Sequence, residues 1–64
     1  MCEANVYSIN ENGKKELILE SVDKVIPKGN EIFLENIYSQ RKTVKGTIKE
    51  MALVEHKIFL ELNE

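Results

Sequence analysis

Short runs of Val, Ile, Leu, Tyr and Phe alternate with turn-forming residues at intervals of roughly ten positions, the rhythm of a small antiparallel β-barrel. The first run extends from Glu3 to Ile9. A period of two sets Cys2, Ala4, Val6 and Ser8 on one face and Asn5, Tyr7 and Ile9 on the other. Both faces are partly apolar, so this strand is expected to be covered twice, once by a partner chain. Asn10-Glu11-Asn12-Gly13 then reads as a hairpin turn, because Asn and Gly tolerate positive φ. A second strand starts near Lys15 and carries Leu17 and Leu19 in alternation with Glu16, Ile18 and Glu20. Asp23 to Ile26 lead from it to a turn at Pro27-Lys28-Gly29-Asn30.

Ile32 and Leu34 share one face of a third strand over Glu31–Ile37, followed by a loop through Asn36 to Arg41. The fourth strand, Thr43–Leu53, contains Gly46, which reads as a bulge or a sharp bend in a barrel wall. Val54-Glu55-His56-Lys57 turns the chain into a fifth strand whose Ile58, Leu60 and Leu62 are expected in the core. The stretch from Ile48 to Leu60 also contains good helix formers and admits a helix. Alternation in Ile58-Phe59-Leu60-Glu61-Leu62 and the β-branched content elsewhere favour strands. The expected fold class is therefore all-β: a single small barrel-like domain over residues 1–64, antiparallel, of about five to six strands.

Size sharpens this picture. A chain of 64 residues buries only about 60% of the surface its unfolded form exposes, which makes self-association or metal a natural support. One cysteine excludes an internal disulfide. Eleven acidic and nine basic residues give a net charge of −2, which supplies no general attraction for nucleic acid or anionic lipid. No apolar run reaches the roughly 20 residues of a membrane span and the opening residues do not form a signal peptide, so a cytoplasmic protein is expected.

Catalytic constellations are missing: there is no Ser/His/Asp set at recognisable spacing, no phosphate-cradling glycine loop and a single histidine. A nucleophile pair of Cys2 and His56 has no oxyanion site to serve it. The chain is not expected to be an enzyme. The position of the cysteine does suggest chemistry, because a thiolate next to the α-amine forms a chelate. Nickel and copper accept square-planar nitrogen and sulfur donors, whereas structural zinc wants four protein ligands. Three ligand forms stand open: with Met1 removed, Cys2 supplies both amine and sulfur; with Met1 retained, the Met1 amine, the Cys2 amide nitrogen and the Cys2 thiolate chelate together, or sulfur binds alone. His56 is a candidate imidazole ligand, and a two-fold axis would double the donor set. An alternative is an RNA-binding or protein-interaction module without metal, using Tyr38, Arg41, Lys42 and Lys49 for stacking and backbone contacts.

Three stretches, MCEANVYSI, ELILESVDKVIPKGNEIFLENI and VKGTIKEMALVEHKIFLEL, together resemble the CooT-like family of nickel-binding accessory proteins across nearly the whole chain. Members are also described as predicted RNA-binding proteins. The resemblance implies a small β-rich fold, a homodimer, and nickel held by the cysteine after the initiator methionine, here Cys2. It further implies nickel supply to carbon monoxide dehydrogenase or another nickel enzyme as client.

Overall fold

The structure is a computed structural model and describes residues 3–63. Five strands follow one another: β1 (Ala4–Ile9), β2 (Lys15–Lys28), β3 (Glu31–Asn36), β4 (Arg41–Ala52) and β5 (Lys57–Leu62). Each pairs with its successor in antiparallel fashion, and β1 closes the barrel on β5. Parity dictates the sense of that last pair. In a meander with an odd number of strands the first and last run the same way, so β1 and β5 pair in parallel, Asn5 opposite Lys57 through Ser8 opposite Leu60. No helix forms over residues 48–60, and no helix among the described residues is long and apolar enough to cross a membrane.

Two long strands are each shared between two neighbours. β2 pairs with β1 as far as Val22 and with β3 from Val22 onward, while β4 leaves β3 at Lys45 and meets β5 at Gly46. Every irregularity in register places the extra residue on one of these two strands. Such bulges add twist, which lets a long strand wrap around a narrow barrel. They also explain why β2 continues through Asp23–Pro27, where the composition suggests a strand ending: the true turn is confined to Gly29-Asn30, with Gly29 at φ 58°. Near Leu19 a bulge breaks the alternation of β2. Ile18 and Leu19 both pack against the core, and Leu17 is exposed.

Val6, Val22, Ile32, Leu34, Ile58 and Leu60 form the core. Leu62, expected beside them, is 39% exposed, because it is the last residue of β5 and stands at the rim opposite Gly46. Phe59 is buried although its neighbours Ile58 and Leu60 point inward. Its outward ring stacks on Tyr7 at a centroid distance of 5.6 Å, and the Lys15 ammonium lies 4.7 Å from its centre. β5 is thus covered on both faces.

Gly46 stands where β4 passes from β3 to β5. A Cβ there would fall on the Glu61 carbonyl oxygen and within 2.9 Å of the Leu62 Cα. Glycine serves here for close backbone approach; at Gly13, φ 80°, it serves the hairpin conformation. Asn36 is the one buried polar side chain among the described residues. Its Oδ1 accepts from the Tyr38 and Gln40 amides at 3.0 and 2.8 Å, and its Nδ2 donates to Gln40 Oε1 at 2.7 Å, which builds the β3–β4 loop.

Candidate functional site

The parallel closure decides what lies near the beginning of the chain. The Asn5 amide donates to the His56 carbonyl at 2.9 Å, which pins the start of β1 against the β4–β5 turn. That turn, 53–56, is closed by the His56 amide donating to the Leu53 carbonyl at 3.2 Å, with His56 itself in the left-handed region at φ 59°. Histidine enters this region more readily than a β-branched residue would. The backbone groups of His56 are thereby used in fixing the turn, and its exposed imidazole is left available.

Two adjoining cavities meet at Glu3 and His56. The first, about 330 Å³ and open, is lined by Glu3, Asn5, Glu55 and His56. The second, about 380 Å³, has a floor of Ala4, Val22, Val25, Leu53 and Ile58, with Asp23 on its wall. No lysine or arginine lines either one. Glu3, the first described residue, lines both cavities. Met1 and Cys2, the other two candidate metal ligands, lie outside the described residues. Among the described residues no group of three or more His, Cys, Asp or Glu side chains is gathered as a metal site.

The residues of the nucleic-acid alternative are distributed differently. Tyr38 is exposed in the β3–β4 loop, and Arg41 and Lys42 open β4. Lys49 lies seven positions beyond Lys42, about 23 Å along an extended strand at 3.3 Å per residue. The Arg41 Nε is 3.7 Å from Glu35 Oε1 and the Lys49 Nζ is 3.9 Å from Glu61 Oε2, so both cations have an acidic neighbour.

Sequence reasoning singled out His56 but missed Glu3, Glu55 and the apolar floor beside them. These residues come together only through pairing of the first strand with the last, and no local pattern announces that contact.

What the fold and this corner define is a small closed β-barrel whose single histidine lies beside the start of β1. The chain belongs to the CooT family: the family model described as CO dehydrogenase accessory protein CooT matches residues 1–61. That family is one of accessory proteins and not of enzymes. A crystal structure assigned to CooT from Carboxydothermus hydrogenoformans is similar at 48% identity and a TM-score of 0.90, over 98% of this chain and 100% of that one. An uncharacterized protein of Methanocaldococcus jannaschii is 38% identical over 61 residues, 95% of this chain and 98% of the relative.

Proposed function

We propose that this protein is a cytoplasmic nickel-binding accessory protein for CO dehydrogenase, with the Cys2 thiolate as metal ligand. The observation that carries this reading is the bond from the Asn5 amide to the His56 carbonyl, 2.9 Å, which holds the start of β1 beside the only imidazole of the chain. Thiolate, a main-chain or α-amino nitrogen at Met1 or Cys2, and the His56 imidazole make a mixed sulfur and nitrogen donor set, which suits nickel better than calcium or magnesium. Nickel is cargo in this reading, taken up and released to the client enzyme. A homodimer that brings two such chain starts together supplies the donors that a single chain lacks.

The test is a titration of the purified, reduced protein with nickel, followed by ultraviolet absorption for thiolate-to-metal charge transfer and by equilibrium dialysis. Wild type should develop the band, Cys2→Ser should lose it, and His56→Ala should keep the band with weaker affinity. Absence of a band in wild type, or dialysis showing equal nickel retention by Cys2→Ser, would refute the assignment. Sedimentation that finds only monomer with and without nickel would remove the shared-site form.

A further inference from the structure

β2 pairs with β1 no further than Val22, yet it continues to Lys28 with β3 on its other side. Beyond Val22 the edge that faced β1 carries no strand among the described residues. The 380 Å³ apolar cavity lies along this edge, between Val22, Asp23 and Val25 on β2 and Leu53 of the β4–β5 turn. Leu53 and Val54 beside it are 70% and 94% exposed. An open strand edge next to an apolar trough is the geometry of strand addition, in which main-chain hydrogen bonds hold an extended peptide and alternate side chains enter the trough.

Charge identifies the occupant. Glu3, Asp23 and Glu55 surround the two joined cavities, and no basic side chain lines them. The Lys24 ammonium answers only Asp23, at 4.0 Å. We propose that this cleft docks an extended segment of a partner protein in which apolar residues alternate with lysine or arginine, added as a strand to β2. Apolar side chains of that segment occupy the trough, and its cations face Glu3 and Glu55. His56 lines both cavities, so the cleft shares a wall with the proposed metal site, but docking does not draw on the Cys2 thiol and is therefore separable from nickel binding.

The probe is the peptide acetyl-Val-Lys-Val-Lys-Val-amide, titrated into ¹⁵N-labelled protein with a chelator present, against acetyl-Val-Glu-Val-Glu-Val-amide as control. Amide shifts confined to residues 3–5, 22–28 and 53–58 are expected with the lysine peptide alone, weakening as ionic strength rises. Reversing charge at Glu3→Lys and Glu55→Lys, or placing a carboxylate at exposed Leu53→Asp, should each weaken binding about tenfold. Cys2→Ser should bind the peptide as wild type does, which separates failure of this proposal from failure of nickel binding. Equal response to both peptides, or shifts elsewhere on the barrel, would overturn it. So would two other results: binding only after removal of Met1 and Cys2, meaning that the chain's own start fills the cleft, or the same shifts on concentrating the protein alone, meaning that a second copy does.

Discussion

Gly46→Ala is the sharpest probe of how the barrel closes. The added methyl would meet backbone atoms, the Glu61 carbonyl oxygen and the Leu62 Cα at 2.9 Å, and backbone cannot rotate out of the way as a side chain can. β4 must therefore draw back from β5 at the point where it leaves β3. Overpacking of this kind costs about 1–3 kcal/mol. Strain on the flanking bonds, Gly46 amide to Asn30 carbonyl and Asn63 amide to Lys45 carbonyl, both 2.9 Å, adds about 1 kcal/mol for each bond lost. The lower backbone entropy of an unfolded alanine offsets about 0.4–1 kcal/mol. The net expectation is a loss of about 2–3 kcal/mol, set against a total of about 3–10 kcal/mol for a domain of 64 residues. Followed by far-ultraviolet circular dichroism, the urea midpoint should fall at constant slope, and Tm should drop by about 8–24 °C. Gly13→Ala is the control, since its Cβ meets nothing within 4 Å and only the positive φ opposes it, at about 1–2 kcal/mol. A Gly46→Ala protein within about 0.5 kcal/mol of wild type, or one more stable than Gly13→Ala, would refute the close-approach argument.

Asn36→Ala removes two accepted bonds and one donated bond from the β3–β4 loop, so urea denaturation should report about 2 kcal/mol of lost stability, with faster exchange of the Tyr38 and Gln40 amides. Phe59→Ala should cost about 3–5 kcal/mol, the behaviour of a core residue despite its outward direction; a loss below about 1 kcal/mol would mean that Tyr7 and Lys15 do not cover it. Lys49 and Glu61 are both more than half exposed, so a double-mutant cycle across their 3.9 Å contact should give a coupling below about 1 kcal/mol.

Much of the strand order was legible from local signals. Asn12-Gly13, Gly29-Asn30 and the alternation in Ile32 to Leu34 each act over a few residues, and each is where the structure turns or buries as expected. What local signals could not carry was bulge placement. Ser21, at φ 56°, accepts its place in β2 because the Asn5 side chain takes its amide at 3.0 Å, a bond spanning sixteen positions. Beyond it, pairing of Val22 through Lys28 with β3 continues β2 where composition alone suggested a break. Gly46 was recognised as special for its bend, but the reason it must be glycine, a backbone of β5 lying against it, belongs to pairing and not to sequence. The same holds for the candidate site. His56 could be named from its residue type, while its position next to Glu3 follows from ring closure.

The parallel pair between β1 and β5 has a consequence for biosynthesis. As the chain leaves the ribosome, β1 to β4 can pair in order, yet until β5 emerges one edge of β1 and one of β4 stay bare. The corner formed by Asn5 and His56 is then missing, together with everything proposed for it. That corner therefore forms only once β5 has paired with β1, and a transcript cut short before Ile58 should give an aggregating sheet rather than a smaller barrel.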